Sequence, residues 1–347
     1  MVPKGWGKIK LGSVAELQRG FDLPSSQRID GAVPVVSSGG VTGYHSEAKS
    51  KAPGVVTGRY GSIGDVFYLE EDYWPLNTSL WVKDFHGNHE KFVYYLLCNF
   101  DFKKFSDKTG VPGINRNDLH AVKVGLPSIP EQKKIAKILS TWDKAITTTE
   151  QLLANSQQQK KALMQQLLTG KKRLLDKNGA RFSREWKATS LSKMGKIVSG
   201  GTPDTNTKEF WGGEIQWLTP TDVTALKSRF VSKTFRTISD LGVKNSSATL
   251  LPKGSLMVCT RATIGALAIS TTDICTNQGF KNIIPSKDFD VEFIYYLLTF
   301  FSKELLRKAS GSTFLELSKK DFEKIEMLCP SLKEQQKIAA VLSTADQ

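Results

Sequence analysis

The stretch Pro127–Asp143 reads PSIPEQKKIAKILSTWD, and it returns at Pro330–Asp346 as PSLKEQQKIAAVLSTAD. Eleven of the seventeen positions are identical after a shift of 203 residues. Each copy carries apolar residues at helical spacing after a Pro-Ser start, which predicts a helix. Because each copy also closes a much longer segment, the repeat predicts two copies of one unit, each a globular part followed by a helix. A duplicated unit suits a target that also comes in two parts.

Weaker matches extend the repeat over the whole chain, at shifts that grow from 180 to 203 residues. They pair Trp6, Leu11 and Gly20 with Trp186, Leu191 and Gly200, Ile63-Gly64 with Ile264-Gly265, Phe92–Leu97 with Phe293–Leu298, and Gly110 with Gly311. The second copy therefore holds about twenty more residues between Gly200 and Ile264, which we expect to form surface loops.

The composition indicates a reduced, cytoplasmic protein with an anionic partner. Lysine and arginine number 48 against 34 acidic residues, a formal net charge of +14. Such an excess favours nucleic acid, although many basic proteins bind none. The cysteines lie far apart without a CxxC pair, which argues against a zinc site and a disulfide framework. No apolar run is long enough to cross a bilayer, so we expect no membrane segment.

Runs of β-branched and aromatic residues between glycine clusters predict a mainly β globular part in each unit. The predicted strands are 33–36, 54–57, 65–69 and 79–82 in the first unit and 215–218, 256–260, 266–270 and 282–284 in the second. A helix is expected after each β region, at about 90–109 and 291–310, with Gly110 and Gly311 as caps. The expected fold class is α+β, with two similar, mainly β domains that are each followed by a helix.

The first repeated helix is long, because residues 131–169 contain no glycine or proline and Gly170 can cap the end. A 4,3,4,3 spacing of seam residues predicts a coiled coil, which needs a partner helix. The seam residues are Ile135, Leu139, Trp142, Ile146, Thr149, Leu153, Ser156, Lys160, Leu163 and Leu167. The second copy of the helix is short, so we expect the distal half of the first helix to have no mate within the chain.

Motifs of common catalytic sites are missing from the sequence. It contains no GxxxxGK[ST], GxGxxG, HExxH or GxSxG pattern, and no adjacent prolines of the kind found in amino-methyltransferases. His86 and His89 form an HxxH pattern, which we interpret as a solvated loop rather than a metal site because no further ligands cluster nearby. We therefore expect no catalytic, cofactor-binding or metal-binding residues in this chain.

Two variable β-rich units, each followed by a helix of the Pro-Ser-x-x-Glu-Gln-x-x-Ile-Ala-x-x-Leu-Ser-Thr-x-Asp pattern, resemble the specificity (S) subunit of type I restriction-modification enzymes. The motif residues are Pro127, Ser128, Glu131, Gln132, Ile135, Ala136, Leu139 and Asp143, with Pro330, Ser331, Glu334, Gln335, Ile338, Ala339, Leu342 and Asp346. The resemblance divides the chain into target-recognition domain 1 (1–127), spacer helix 1 (128–175), target-recognition domain 2 (176–329) and the start of spacer helix 2 (330–347).

The resemblance implies a non-catalytic subunit that reads a bipartite sequence in double-stranded DNA. Its helices would act as a spacer and as a docking surface for methyltransferase (M) and restriction (R) subunits. S-adenosylmethionine, ATP and magnesium would act in those partners, with no cofactor in this chain. The expected docking residues are Glu131, Gln132, Ile135, Leu139, Trp142, Ile146, Leu153, Leu163, Leu167, Glu334, Gln335, Ile338 and Leu342.

Two alternatives accompany this interpretation. The chain could be a freestanding DNA-binding coiled-coil protein without methyltransferase partners, although such a protein does not account for the repeated helix motif. The unpaired part of the long helix also allows two hypotheses: a homodimer through the same helix of a second chain, or a truncated chain that binds M subunits weakly.

Reading base edges requires polar and cationic side chains on loops. The candidates are Ser37, Ser38, Tyr44, Arg59, Tyr60, Asn77, Lys108, Asn115 and Arg116 in the first unit, and Thr219, Thr221, Arg261, Thr263, Asn277, Gln278, Lys281, Ser312, Thr313, Lys319 and Lys320 in the second. Arg59 and Arg261 rank first, since each flanks the shared Ile-Gly turn and arginine reads guanine through two hydrogen bonds. The run Lys171-Lys172-Arg173 is the favoured phosphate contact near the long helix. The alternative for any single candidate is a solvated loop side chain.

Overall fold

The computed structural model describes residues 3–106, 113–309 and 315–346. The chain separates into two compact units, Met1–Gln151 (unit 1) and Leu152–Gln347 (unit 2). The division falls inside the long helix, so each unit includes part of it. Within the described ranges, no helix combines the length and the apolar content that a membrane crossing requires.

Unit 1 alternates short strands with turns and ends in the long helix. Its strands are β1 (Gly7–Lys10), β2 (Glu16–Arg19), β3 (Val33–Ser37), β4 (Gly40–His45), β5 (Gly54–Gly58), β6 (Val66–Leu69), β7 (Trp74–Pro75), β8 (Ser79–Asp84) and β9 (Lys123–Leu126). Its helices are α1 (Glu90–Cys98), α2 (Arg116–Ala121) and α3 (Ile129–Leu168), of which α3 continues into unit 2. The predicted strands of this unit are confirmed as β3, β5, β6 and β8.

The strands of unit 1 form sheets in the orders β2-β8-β5-β6 and β4-β3-β7, and β1 pairs with β9. The run Gly-Val-Val-Thr-Gly of β5 is buried along its whole length, as β-branched residues on a central strand favour. Val55 and Leu80 of the larger sheet pack with Val93 and Leu97 of α1 in one core cluster. The apolar stripe of α1 therefore belongs to the core.

His120 joins α2 to the sheet. Its Nε2 accepts a hydrogen bond from the backbone N–H of Leu17 at 2.8 Å, so the imidazole is neutral at that nitrogen. Burial lowers the pKa of His120 below its usual 6.5, because desolvation disfavours the charged ring. Protonation of this ring would remove the acceptor that Leu17 uses.

Unit 2 repeats the arrangement of strands and helices of unit 1 and contains additional elements. Its strands are β10 (Lys187–Ser190), β11 (Gly195–Ser199), β12 (Trp211–Leu218), β13 (Phe230–Val231), β14 (Arg236–Ile238), β15 (Leu256–Cys259), β16 (Leu267–Ser270), β17 (Ile274–Thr276), β18 (Phe280–Pro285) and β19 (Glu326–Cys329). Its further helices are α4 (Leu191–Met194), α5 (Pro220–Ala225), α6 (Asp240–Lys244), α7 (Val291–Phe300), α8 (Ser302–Lys308), α9 (Lys319–Glu323) and α10 (Leu332–Thr344). The predicted strands are confirmed as β12, β15, β16 and β18.

The strand orders of unit 2 are β11-β18-β15-β16-β13 and β14-β12-β17, and β10 pairs with β19. Apart from β13, these orders match those of unit 1 strand for strand. The duplication that the repeated helix motif predicts is therefore confirmed at the level of topology.

The helices after the β regions are shorter than the apolar pattern predicts. α1 ends at Cys98, and the chain continues as a separate 3₁₀ turn at Phe102–Phe105 whose first residue is buried. In unit 2, α7 ends at Phe300 and a new helix starts at Ser302. In both units the chain turns so that a further apolar side chain can enter the core. Gly110 and Gly311, the expected caps, lie outside the described residues.

The extra residues of unit 2 are only partly surface loops. Ser38 and Gly39 alone connect β3 to β4, whereas residues 219–235 connect the equivalent strands β12 and β14. This longer connection contains α5 and β13, and β13 extends the larger sheet by pairing with β16. Val223 and Val231 from the connection are buried. The expectation of simple loops is therefore wrong for this segment, because its valines add to the core.

The distal part of α3 packs against α10 within unit 2. Leu163, Met164 and Leu167 of α3 share a core cluster with Ile338 and Leu342 of α10. The expectation that this half of the helix has no mate is therefore wrong. After Leu168 the chain turns at Gly170, whose φ of +71° is the left-handed conformation expected of a helix cap.

Ion pairs at the two ends of α10 show that it runs antiparallel to α3. Arg173, just after α3, bonds Glu334 in the first turn of α10, with Nε 2.7 Å from Oε1. At the other end, Lys160 pairs with Asp346. Lys160, a polar residue of the predicted seam, thus fixes the register of the helix pair.

The uncovered part of the seam lies before the segment of α3 that α10 covers. Leu139, Trp142, Ile146 and Leu153 are exposed, and Trp142 is the most exposed of them at 66%. Ile135, before them, is half-buried. We call these four exposed residues the apolar stripe of α3.

Candidate nucleic-acid interface

Turns of unit 1 meet around the backbone of Thr78. Its carbonyl accepts hydrogen bonds from the backbone N–H groups of Arg59 (3.0 Å) and Tyr60 (3.2 Å). Its hydroxyl accepts a bond from the backbone N–H of Ser38 (3.4 Å). These bonds bring predicted site residues from three separate segments to one surface. We call it the unit 1 turn cluster, which comprises residues 37–39, 59–62 and 77–78.

Arg59 stacks on an aromatic neighbour in this cluster. Its Cζ lies 4.6 Å from the ring centroid of Tyr60. Gly113 lies against the same ring, and a Cβ there would be 2.4 Å from a ring carbon, so glycine is required. Stacking limits the rotation of the guanidinium and leaves N–H groups at its edge, the arrangement that binds guanine through two hydrogen bonds.

The amide of Asn77 already has an intramolecular partner. Its Nδ2 donates a hydrogen bond to Asp22, and Arg19 Nη2 lies 3.2 Å from the same carboxylate. A base edge that binds this amide must displace Asp22 or add to it.

The β3–β4 hairpin separates two further predicted residues. Ser37 is the last residue of β3, next to the turn, and its hydroxyl accepts a bond from the backbone N–H of Gly39 at 3.2 Å. Tyr44 is exposed but faces Pro34, at the far end of the hairpin from that turn. Tyr44 is therefore not brought together with the other candidates.

The remaining predicted residues of unit 1 lie near α2. Asn115 caps this helix by accepting a bond from the backbone N–H of Asn117 at 2.9 Å, and Arg116 is its exposed first residue. Lys108 lies outside the described residues.

Glu316 binds two of the predicted cations of unit 2. Its Oε2 lies 2.6 Å from Arg261 Nη2, and its Oε1 lies 3.7 Å from Lys281 Nζ. The hydrogen bond from Arg261 lowers the pKa of the Glu316 carboxyl, so this group is ionised at neutral pH. Burial lowers the pKa of Lys281, which is only 6% exposed and lies on β18. The prediction of Lys281 as a loop contact is therefore wrong, because its side chain is an interior partner of Glu316.

Turns of unit 2 meet in the same way as those of unit 1. The backbone N–H of Thr260 donates to the Gly279 carbonyl at 2.8 Å, and Asn277 Oδ1 accepts from the Gly279 N–H at 2.9 Å. A Cβ on Gly279 would lie 3.5 Å from Pro220 Cγ and 3.9 Å from Arg261 Cβ, so these residues are close neighbours. We call this surface the unit 2 turn cluster, which comprises residues 219–222, 260–263 and 277–279.

Two polar side chains of this cluster are engaged locally. Thr219 caps α5, and its Oγ1 lies 2.5 Å from Asp222 Oδ2. The hydroxyl of Thr202 hydrogen-bonds Gln278 Oε1. The cluster therefore holds part of its own polar side chains in place before any partner binds.

The other predicted residues of unit 2 are exposed or undescribed. Thr221, Thr263, Lys319 and Lys320 are exposed, the two lysines on α9. Ser312 and Thr313 lie outside the described residues.

Arg59 and Arg261 are not equivalent positions, although both flank the shared Ile-Gly turn. Arg59 donates its backbone N–H to Thr78 as Thr260 donates to Gly279, and Tyr60 and Arg261 form the matching bridges to the next segment. Arg261 thus occupies the place of Tyr60. The 201-residue shift between the two Ile-Gly pairs gives the same assignment, since two residues separate Tyr60 from Ile63 and Arg261 from Ile264.

Residues of this surface that sequence reasoning missed are acidic or aromatic. Glu316 and Asp22 hold cationic and amide side chains in place, but a search for donors to DNA passes over carboxylates. Phe235, the last residue of the long connection of unit 2, is exposed beside the unit 2 turn cluster. A lone aromatic residue among polar ones gives no periodic signal.

The Glu-Gln pair of each repeated helix is structural. Gln132 is buried, accepts a bond from the backbone N–H of His89 at 2.9 Å and donates to the Pro127 carbonyl at 3.0 Å. Gln335 makes the same bonds to the N–H of Asp290 (3.0 Å) and the Pro330 carbonyl (3.0 Å). Each glutamine thus joins its helix to the start of α1 or α7.

The glutamates have different partners in the two units. Glu131 accepts a bond from Trp6 Nε1 at 3.0 Å. Glu334 is buried and takes the guanidinium of Arg173, whose Cζ lies 5.8 Å from the centroid of Trp186. Arg173, one of the three residues predicted to contact phosphate, is therefore paired with Glu334 and is not a free cation.

The aspartates that close the repeated motif accept a bond from the second tyrosine of the apolar stretch in each unit. Tyr95 OH donates to Asp143 Oδ2 at 2.6 Å, and Tyr296 OH donates to Asp346. Arg229, from the long connection of unit 2, also reaches Asp346 at 3.2 Å. These residues of the motif therefore attach each helix to its own unit.

Burial removes six of the thirteen expected docking residues from the surface. These are Gln132, Leu167, Glu334, Gln335, Ile338 and Leu342. A docking role for them is wrong, because their side chains pack inside their own unit. The apolar stripe of α3 retains four of the expected residues on the surface.

His86 and His89 do not face a common ligand site. His89 caps α1 by accepting a bond from the backbone N–H of Phe92 at 3.4 Å. His86 groups instead with Glu16 and Asp84, whose ligand atoms lie within 4.8 Å of one another. These groups are exposed or half-exposed, and an exposed cluster of this kind is common without a metal.

The sequence of each unit matches one protein family. The sequence profile described as "Type I restriction modification DNA specificity domain" matches residues 3–155 and again residues 183–347. The chain belongs to this family, with one match in each unit.

Curated relatives bear the name of type I specificity subunits. The type I restriction enzyme MjaIX specificity subunit of Methanocaldococcus jannaschii is 40% identical over 168 residues, 48% of this chain and 39% of that protein. The HindI specificity subunit of Haemophilus influenzae is 32% identical over 151 residues, 43% of this chain and 32% of that protein. The matched stretches thus span less than half of each relative.

Solved structures share the fold across the whole chain. An S subunit of a type I restriction-modification system from M. genitalium matches with a TM-score of 0.65 at 16% identity, covering 100% of this chain and 90% of that one. A chain from a study of complex assembly and conformational transition of the type I R-M system matches with a TM-score of 0.55 at 18% identity, covering 99% and 90%.

Proposed function

We propose that this chain is the sequence-specific DNA-recognition subunit of a type I restriction-modification complex and reads a bipartite target in double-stranded DNA, one half with each unit. The observation that carries the proposal is that one topology occurs twice and brings polar and cationic turn residues together at the same place in each copy. The formal net charge of +14 supplies the attraction to phosphate that such binding requires.

The two half-sites differ in sequence, because the turn clusters present different side chains on one scaffold. Tyr60 faces Gly113 in unit 1, whereas Arg261 faces Glu316 at the equivalent bridge of unit 2. The connection between the equivalent strands is also a short turn in unit 1 and a seventeen-residue segment, 219–235, in unit 2. An identical pair of half-sites would not fit two such different surfaces.

Methyltransferase (M) subunits dock on the apolar stripe of α3. An uncovered row of Leu139, Trp142, Ile146 and Leu153 on one helix is typical of a protein contact. Restriction (R) subunits join the same complex, and S-adenosylmethionine, ATP and magnesium act in these partners. Catalysis therefore lies outside this chain, whose own residues bind and position DNA.

Adjacent substitutions on α3 test the docking. Ile146→Glu places a charge in the stripe and should abolish co-purification with the M subunit. Thr147→Glu adds the same charge one position away, at a residue that is not in the seam, and should leave co-purification intact. Equal behaviour of the two variants would contradict docking at this face.

Sequencing of methylated adenines tests the recognition. In a host that expresses the chain with its M subunit, we expect methylation within one split, non-palindromic sequence. A continuous motif, or a palindrome, would contradict reading by two different units.

A freestanding DNA-binding coiled-coil protein is the second candidate, because the apolar stripe could also pair with that of a second chain. Sedimentation of the chain alone at micromolar concentrations distinguishes these cases. A dimer that Ile146→Glu dissociates, together with failure to co-purify an M subunit, would favour this candidate.

A further inference from the structure

Unit 2 exposes one aromatic ring almost completely. The side chain of Phe235 is 93% exposed, compared with 66% for Trp142, the next of the exposed large apolar residues in the described ranges. A phenyl ring in water is unfavourable by about 25 cal/mol for each Å² of apolar surface. Its position therefore calls for a partner that covers it.

The backbone around Phe235 is held from both sides. The Phe235 N–H donates to Asp222 Oδ1 at 3.0 Å. The preceding Thr234 donates its N–H to Gln216 Oε1 at 2.8 Å, and its hydroxyl accepts from the Trp217 N–H at 3.0 Å. These bonds fix the backbone that carries the ring. A loop whose backbone is fixed in advance loses little backbone conformational entropy on binding.

Cations flank Phe235 along the chain. Arg236 follows it, with its Cζ 3.6 Å from the centroid of Trp211, and Lys233 precedes it as an exposed residue. An exposed apolar ring in a segment that also carries two cations fits stacked bases flanked by phosphates better than it fits an apolar protein surface.

Phe235 is continuous with the unit 2 turn cluster. Asp222, which holds its N–H, also accepts the N–H of Thr219 at 2.8 Å through its other oxygen. Pro220, next to Thr219, reaches Gly279 at the centre of the cluster. A duplex that contacts this cluster therefore also comes within reach of the ring.

We propose that Phe235 inserts its ring between two stacked bases in the half-site that unit 2 reads. This inference rests on the proposed DNA-binding function and deepens it. Insertion of an apolar side chain unstacks a base step and kinks the duplex, so deformability at that step adds to sequence selection. The half-site of unit 2 is thus read partly through its shape.

Unit 1 lacks an equivalent ring. The strand registers place Val41 at the position of Phe235, since β3–β4 and β12–β14 pair in the same way. Valine is half-exposed there and too short to span a base step. Unstacking is therefore confined to one half of the target.

The test uses the full chain with its M subunit and duplexes that carry 2-aminopurine at successive positions of the target. Fluorescence of 2-aminopurine rises when its base is unstacked. With the unaltered chain we expect a rise at one step of the unit 2 half-site. Phe235→Ala should lose this rise and bind the target on the order of 10- to 100-fold more weakly. Phe235→Leu should retain part of the fluorescence rise and part of the affinity, and Val41→Ala should leave the fluorescence rise unchanged.

Thermal unfolding of Phe235→Ala should match that of the unaltered chain, because the ring contacts solvent. Binding and fluorescence of Phe235→Ala equal to those of the unaltered chain would overturn the inference. Loss of the M subunit from the variant would also overturn it, by assigning the ring to a protein contact. If the unaltered chain does not distinguish its target from random DNA, the proposed function fails instead.

Discussion

Replacement of the buried glutamine in a repeated helix should destabilise only the unit that contains it. In unit 2, Gln335→Leu removes the partners of the Asp290 N–H and the Pro330 carbonyl, both at 3.0 Å from the amide. A buried polar group that loses its partner costs about 1–3 kcal/mol. The third bond, to the Asp288 carbonyl at 3.3 Å, is longer and belongs to an exposed residue that water can solvate. Because Asp290 is only half-buried, water can replace part of its lost bond, and we expect a total loss of about 2–4 kcal/mol.

The neighbouring residue supplies the control. Gln336 is exposed, so Gln336→Leu makes the same chemical change and should alter stability by less than about 0.5 kcal/mol. Because two units need not unfold together, the measurement should resolve them. Native-state hydrogen exchange does so through the amides of α7 in unit 2 and α1 in unit 1.

Exchange of the α7 amides should accelerate on the order of 100-fold in Gln335→Leu, since each 1.4 kcal/mol is tenfold. The α1 amides should not change. The reciprocal variant, Gln132→Leu, should accelerate α1 and leave α7 unchanged. If the α7 amides exchange at the same rate in Gln335→Leu and Gln336→Leu, the glutamine bonds do not attach the helix, and the structural role assigned to the motif is refuted.

Three further outcomes are expected. The free energy of unfolding of unit 1 should be constant above about pH 6.5 and fall as the pH drops from there toward the lowered pKa of folded His120, because in that interval only the unfolded chain binds the proton. Denaturant titrations at about pH 7.5 and pH 5.5 measure this fall, and His120→Gln, whose amide oxygen can accept the Leu17 bond, should flatten it. Glu316→Gln should raise affinity for random DNA and steepen the slope of log binding constant against log salt concentration by up to about 1. An unchanged slope would contradict the role of Glu316 at the interface. Arg59→Ala should relax only one half of the methylated sequence, whereas Lys320→Ala should weaken all sequences alike; equal loss on specific and random DNA for Arg59→Ala would defeat that assignment.

Periodicity was enough to predict the elements of this fold. The predicted strands of both units are present, since β-branched runs between glycines have few alternatives, and the apolar stretches at 92–97 and 293–298 lie in core helices. The predicted ends of these two helices were wrong. Nothing in the sequence near Cys98 or Phe300 marks the ends of those helices, because packing of the next apolar residue decides them.

The sequence predicted which loops hold the candidate interface residues, but not how those loops are arranged in space. Ser38, Arg59 and Asn77 come together because Thr78 binds three of the surrounding backbone groups, and no sequence spacing encodes that meeting. Burial of Lys281 on β18 and the exposure of Phe235 likewise depend on which face of the fold each residue occupies.

The repeat alone establishes a duplicated α+β unit with a repeated helix, since identical residues at fixed spacing require the same local structure. The roles of those identical residues follow from contacts in the folded chain. The Glu-Gln-Asp motif attaches each helix to its own unit through hydrogen bonds, with the glutamine buried in both units, and α10 covers the distal rather than the earlier part of α3. The reason is that periodicity states which face of a helix is apolar, whereas contacts between segments distant in sequence decide what covers it.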